Sequence, residues 1–297
     1  MAPILRIIVA VALSVLLSLH GYSKKSLDLS GAVAAFFVGV ISLGSSYRFG
    51  ILLLLFYYSS SKLTKLKEDI KAKLEDEYLA GGQRSFVQVF ASSLFAVIVC
   101  ALYVIYCGED RNIDFSDPSV MLSNQFACLI VAHYACANGD TWASELGILA
   151  PSRPRLVTSL FLREVPPGTN GGMSVRGTMA SLFGGLFIGL AYSLLAFFYL
   201  PRSDRSHMEQ LAMMIVFGGL SGVVGSLLDS LLGATLQASY YSREKKKIVK
   251  RMDAADRSVE RICGTDVLSN ETVNFLSIGL TMVLSWLLAP RLFALVA

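Results

Sequence analysis

Charge is scarce in this sequence. Asp, Glu, Lys and Arg make up 16% of its residues, where a soluble globular domain carries about a quarter. So little polar surface does not keep a compact body of this size dissolved. Histidine is rarer still: His20, His133 and His207 stand far apart, so spacing offers no histidine cluster for a metal. The five cysteines, Cys100, Cys107, Cys128, Cys136 and Cys263, lack metal-ligand spacing and lie mostly in apolar runs. They read as small buried residues and not as a disulfide framework. No run shows the strict alternation of a lipid-exposed barrel strand, and no repeat or low-complexity tract stands out.

What is present is hydrophobicity, in 54% of residues, gathered into long runs between charged stretches. A helix needs about 20 apolar residues to cross a bilayer, and in lipid its backbone must be hydrogen-bonded within the segment. The pattern predicts an all-α polytopic membrane helix bundle, one integral domain over 1–297. Spans are expected at 3–20, 28–45, 47–61, 86–107, 119–138, 177–200, 210–237 and 272–295. The second and third are short and nearly continuous, so the count is about six to eight. The first run has Arg6 ahead of it, but Ser18-Leu19-His20-Gly21 offers no small-x-small cleavage site. It reads as a retained span, with no Ser/Arg-rich leader expected.

The net charge of +4 sits beside the membrane segments, where it reads as a topology signal and anionic-lipid contact, not as a nucleic-acid surface. Lys62, Lys65, Lys67, Lys71, Lys73 and Arg84 fall in 62–84; Arg153, Arg155, Arg163 and Arg176 in 150–176; a third basic group, Arg243 to Arg261, in 238–271. Two spans separate each basic segment from the next, so all three share one side. The positive-inside rule makes that side cytosolic, and an endomembrane such as the endoplasmic reticulum is the expected location. Within 62–80, Leu63, Leu66, Ile70, Leu74 and Tyr78 recur at helical spacing. This is either an amphipathic helix on the headgroups or a solvated charged one, ending at Gly81-Gly82. The 238–271 segment reads as a cytosolic loop.

Several polar motifs interrupt the apolar pattern. Asp229 lies inside an apolar helix, where an ionisable group costs several kcal/mol unless it meets a partner or polar cavity. Ser226, Ser230, Gly233 and Gln237 share its face at helical spacing. In Asp140-Thr141-Trp142-Ala143-Ser144-Glu145, two carboxylates and the hydroxyls of Thr141 and Ser144 suit an oxygen-preferring cation such as magnesium. Capping by Asp140 is the alternative. Gly168-Thr169-Asn170-Gly171-Gly172 precedes a helix and is either a phosphate loop or an ordinary turn. It is not a Walker A sequence. Arg84 is either a phosphate clamp or a boundary marker. Asn270 and Asn274 open the last span, with Asn270 the expected N-cap. Gly177 to Gly189 and Gly218 to Gly233 are glycine-rich helices, suited to close packing.

The motifs DTWASELG (140–147), GTNGGMSVRG (168–177) and GSLLDSLLGATLQ (225–237) resemble the transmembrane protein 19 family. Residues 60–90 and 267–276 are similar to its animal members, and the likeness covers most of 28–295. Plant chloroplast members of that family are phytyl-phosphate kinases, which use a nucleoside triphosphate to convert a prenyl monophosphate to the diphosphate. The resemblance implies Asp140, Glu145 and Asp229 as magnesium ligands, the 168–172 loop as the triphosphate site, and Arg84 as a phosphate ligand. The prenyl-phosphate lipid and the nucleotide are then the partners. A transporter or lipid flippase is the competing class, because an intramembrane acid and glycine-rich helices suit it as well. A non-catalytic scaffold is a third. A CDP-alcohol transferase is disfavoured by the absence of its Asp-x-x-Asp-Gly signature.

In sealed microsomes, cysteines introduced at Lys67, Arg153 and Lys246 should react with an impermeant maleimide, and one at Asp117 only after permeabilisation. The reverse pattern overturns the orientation; a split among the first three overturns the topology.

Overall fold

A computed structural model describes residues 3–71, 73–74, 82–108, 110–159, 163–199, 204–249 and 258–296. The helices run α1 Pro3–Ser23, α2 Leu29–Ser45, α3 Tyr47–Thr64, α4 Glu68–Lys71, α5 Phe86–Cys107, α6 Met121–Gly147, α7 Val175–Tyr199, α8 Arg205–Leu236 and α9 Asn270–Phe293. Among the described residues six helices are long and apolar enough to cross a membrane: α1, α5, α6 with the short turn before it, α7, α8 and α9. The apolar α2 is shorter, at 17 residues. The chain is a polytopic helical membrane bundle.

Local sequence explains most of the helix boundaries. Asp28 caps α2 by accepting from the Gly31 N–H. Ser46, with extended backbone, ends α2 and caps α3 through the Arg48 N–H, so a single residue makes the turn between them. Asp204 caps α8, which starts five residues before its expected position at 210 because His207 donates its backbone N–H to Asp204. The cap of α9 is Ser269, accepting from Thr272, and not Asn270, which is the first helical residue. Asp140 caps nothing: α6 continues through it to Gly147.

The segment expected as an amphipathic helix over 62–80 is broken. α3 runs on to Thr64, Lys67 takes a positive φ of 51°, and the four-residue α4 follows; Tyr78 and Gly81 lie outside the described residues. The segment read as a plain loop over 238–271 instead builds a three-stranded antiparallel sheet from β3 Ser239–Ser242, β4 Lys247–Val249 and β5 Val259–Cys263, in the order β4-β3-β5. Tyr241 stands opposite Ile248 on one side and Glu260 on the other. A two-residue pair, β1 Arg155–Leu156 with β2 Gly172–Met173, closes the 155–173 excursion. Strand pairing lets short polar segments satisfy backbone groups outside the bilayer.

α6 is the axis of the bundle. From Phe126 to Gly139 its residues are buried without interruption. It meets α7 and α8 through glycine: a Cβ on Gly139 would lie 2.9 Å from the Gly222 Cα, and one on Gly184 would lie 3.0 Å from the Gly139 Cα. Added side chains there have nowhere to go but into backbone, and such overpacking costs about 1–3 kcal/mol.

The three basic segments gather at one end of the bundle. The Ile248 N–H donates to the Leu74 carbonyl at 3.0 Å, Arg163 Nη2 to the Ile262 carbonyl at 2.9 Å, and the Asn170 N–H to Ser239 Oγ at 2.9 Å. At the other end Arg48 pairs with Asp110 at 3.0 Å, their side chains 2% and 5% exposed. Arg48 also donates to the Arg111 carbonyl and the Tyr192 hydroxyl, and Ser46 Oγ to Asp110. Removing one partner of so buried a pair strands the other charge. Asp110→Ala should therefore destabilise the fold by about 3–5 kcal/mol, read as a lower melting temperature in detergent; an unchanged melt would remove this pair from the stability of the fold.

Candidate functional site

Polar groups from five separate stretches of chain surround one cavity of about 320 Å³ at the basic end of the bundle. α6 supplies Asp140, Thr141 and Ser144; the 168–172 loop supplies all five of its residues; α7 supplies Gly177, Thr178 and Ser181; α8 supplies Ser226, Asp229 and Ser230; α9 supplies Asn270 and Asn274. The close approach of α6 and α8 brings the two acids to one space, since Gly139 directly precedes Asp140 and the Gly225 contact with Cys136 directly precedes Ser226.

Each acid is held by a serine. Ser226 Oγ donates to Asp140 Oδ1 at 3.3 Å, and Ser277 Oγ donates to Asp229 Oδ2 at 3.2 Å. Ser277 is absent from the sequence-derived set, although its signal was there: Asn270, Asn274, Ser277 and Thr281 follow one another at helical spacing on α9. The Thr141 and Ser144 hydroxyls donate back to the Ala137 and Thr141 carbonyls of their own helix. What they offer the cavity is oxygen lone pairs.

The cavity is electrostatically two-sided. Asp140 and Asp229 lie in the last third of α6 and α8, toward the helix ends that favour cations. The first turns of α7 and α9 also border the cavity, through Gly177, Thr178, Asn270 and Asn274. There the helix dipole favours anions, although the Gly177 and Thr178 amides are already bonded to Ser174 and the Thr272 amide to Ser269. Such a space accommodates a cation and an anion side by side.

Three sequence-derived residues lie elsewhere. Glu145 does not line the cavity: its Oε2 pairs with Lys71 Nζ at 2.5 Å. The reason is helical geometry. Five residues advance the helix by about 140° from Asp140 at 3.6 residues per turn, so the spacing that aligns Glu145 with Thr141 turns it away from Asp140. Lys71 also donates to the Leu63 and Thr64 carbonyls at 2.7 and 3.0 Å, closing the C-terminal end of α3. Nothing in the sequence sets Lys71 apart from Lys65, Lys67 or Lys73. Among the described residues no group of three His, Cys, Asp or Glu side chains is placed to hold a metal, so the expected triad reduces to two carboxylates. Magnesium is commonly held by one or two carboxylates with phosphate oxygens and water, and Asp140, Asp229 and the neighbouring hydroxyls form a donor set of that kind.

Arg84 lies apart as well. It bonds through its backbone to Ser26 and Asp28, and its guanidinium stands over the Phe56 and Tyr57 rings at 5.8 and 5.7 Å. It borders a separate apolar cavity among α1, α2, α3 and α5. Burial there draws its pKa down, opposed by Tyr57 and Glu145. Gln237 ends α8 with its N–H on the Gly233 carbonyl and does not border the acid cavity.

The glycine loop is less open than its sequence suggests. Gly168 and Gly171 take positive φ of 86° and 71°, as expected of turn glycines. Three amides are already used: Thr169 N–H on Pro166 O, Gly172 N–H on Thr169 O, and Asn170 N–H on Ser239 Oγ. The loop is in part an ordinary turn, pinned to β3, that forms one wall of the cavity.

The family model for integral membrane protein DUF92 matches residues 12–282. The chain is 38% identical to Protein PGR of Arabidopsis thaliana over 98% of its own length and 99% of that protein. It is 28% identical to an uncharacterized membrane protein of Methanocaldococcus jannaschii, over 80% of this chain and 86% of that one. A weaker likeness, 25% identity, links it to Protein VTE6, chloroplastic, of Arabidopsis thaliana over 71% of this chain and 56% of that protein. No solved structure matches the fold.

If Glu145 serves Lys71 and not a metal, Glu145→Lys alone should lower the melting temperature, by about 3–5 kcal/mol in stability for a broken buried pair. In a Lys71→Met background Glu145→Lys should cost less than half as much as it does alone. An equal cost in both backgrounds would sink the pairing role.

Proposed function

The chain belongs to the DUF92 family of integral membrane proteins, and from that premise we propose that it is a membrane-embedded kinase. It transfers a phosphoryl group from a nucleoside triphosphate to a polyprenyl, phytyl-like monophosphate, giving the diphosphate. The observation that carries the reading is the single cavity in which Asp140 and Asp229 face the first turns of α7 and α9. The resemblance to the transmembrane protein 19 family, and with it the kinases among plant members, supplies the reaction. We place the site on the cytosolic face of an endomembrane, where nucleotide is available and where the basic segments direct it.

The chemistry asks little of the protein. A prenyl monophosphate is already an oxyanion at neutral pH, so no strong general base is needed. One of its oxygens attacks the γ-phosphorus, the bond from that phosphorus to the β,γ-bridging oxygen breaks, and nucleoside diphosphate leaves. Catalysis then rests on positioning and on stabilising transferred charge. Asp140 and Asp229, steadied by Ser226 and Ser277, would hold magnesium, which when bound neutralises charge on the phosphate oxygens. The N-terminal ends of α7 and α9, through their dipoles and with Asn270 and Asn274, receive the phosphates. Thr141, Ser144 and Ser230 fill the remaining polar positions. The prenyl tail lies in the membrane beside the bundle, with its head at the cavity.

The second reading, a transporter or flippase, shares the intramembrane acid and the glycine-packed helices. The two separate cleanly in proteoliposomes. With labelled nucleotide and a panel of prenyl monophosphates, the kinase yields prenyl diphosphate by mass spectrometry, whereas a flippase moves lipid without nucleotide. Asp140→Asn and Asp229→Asn should each lower kcat by about 100-fold or more, the scale for removing a group that stabilises developing charge, with insertion intact. Unchanged turnover in both would dismiss the site.

A further inference from the structure

Beside the acid cavity lies a second one of about 330 Å³, between the three-stranded sheet and Arg153 with residues 163–167. Ligand pockets begin at about that size. One face of the sheet forms its floor. Tyr241 stands directly opposite Ile248 and Glu260, so the three side chains project to the same side, and Ile262, the extra residue where the β3–β5 register shifts, also lines the cavity. The result is an aromatic ring flanked by two isoleucines.

The rim is cationic. Arg153, Arg163 and Lys246 border the space together with Glu164 and Glu260. Glu260 is already paired with Arg243 at 2.5 Å, and Arg163 spends one donor on the Ile262 carbonyl. Among the described residues neither Arg153 nor Lys246 has a carboxylate partner. With Glu164 the one lining carboxylate not accounted for, against Arg153, Arg163 and Lys246, the space favours a ligand with a flat apolar part and negative charge.

The two cavities are neighbours. Pro167 lines both, and the chain passes from it directly into the 168–172 loop that walls the acid cavity. The Pro166 carbonyl anchors that turn through Thr169, and proline fixes the backbone direction at the partition.

The geometry points to this second cavity as the base-and-ribose chamber of a nucleoside triphosphate whose phosphates cross Pro167 to reach Asp140 and Asp229. This rests on the kinase reading above and gives it a nucleotide subsite. Tyr241 stacks the base, Ile248 and Ile262 flank it, and Arg153 and Lys246 supply positive charge along the rim.

The test uses the full chain in nanodiscs, with MANT-ATP and MANT-CTP as binding probes and steady-state transfer from ATP and CTP. Tyr241→Ala should raise the nucleotide KM and the probe Kd by roughly tenfold, as expected for loss of a stacked base, with the prenyl-phosphate KM unchanged. Lys246→Glu, at an exposed position of the β3–β4 turn, should raise the nucleotide KM at least threefold in the same selective way. Transfer by the wild type with both variants unaltered in nucleotide KM overturns the chamber and leaves the kinase standing. A rise confined to the prenyl-phosphate KM also overturns it, and assigns the rim to lipid headgroups. Probe binding weakened by both variants, in a protein that transfers no phosphate, upholds the chamber and overturns the kinase.

Discussion

The approach of α6, α7 and α8 through glycine is the constraint on which the remaining arrangement depends. Helices in a bilayer gain nothing from exchanging lipid for leucine, so their packing relies on close van der Waals contact. Gly139, Gly184, Gly185, Gly218 and Gly222 remove the side chains that would separate the three backbones. Because Gly139 and Gly225 sit immediately before Asp140 and Ser226, the same contact that binds the helices carries a carboxylate from each of two helices to one cavity. Packing and placement of the acids are thus a single event.

The two ends of the bundle handle charge in opposite ways. At one end Arg48 and Asp110 are taken out of solvent and bonded to each other, to Ser46 and to Tyr192, with only the Arg48 Nε of that pair left without a partner among the described residues. At the other, Asp140 and Asp229 each accept from one serine and retain oxygen lone pairs toward the cavity. Helix direction reinforces the difference. α6 and α8 bring their C-terminal thirds to the open end, and α7 and α9 their first turns. Antiparallel neighbours necessarily alternate in dipole sense, and here the alternation gives one cavity both a cation-favouring and an anion-favouring side.

Lys71 shows how a residue of the short α4 governs this end. It joins the C-terminal carbonyls of α3 to Glu145 on α6, fixing the helix end that carries Thr141 and Ser144. The segment after α8 has a comparable part: β3 holds the Asn170 amide through Ser239, so the glycine turn owes its position to a sheet nearly seventy residues further along the chain.

The sequence alone determined the membrane class, the helix runs and the grouping of basic segments, because apolar length and charge placement are local quantities that a bilayer reads directly. It also marked most residues that border the acid cavity, since a polar group within an apolar helix declares itself without any partner. Pairing was decided only by tertiary structure. Glu145 and Asp140 look equivalent in a six-residue motif, yet one faces Lys71 and the other Ser226, a difference set by rotation about α6 and by what packs against each side. Arg84 lies with Phe56 and Tyr57, and the 238–271 segment folds into a sheet. Both outcomes depend on neighbours distant in the chain, which no local pattern specifies.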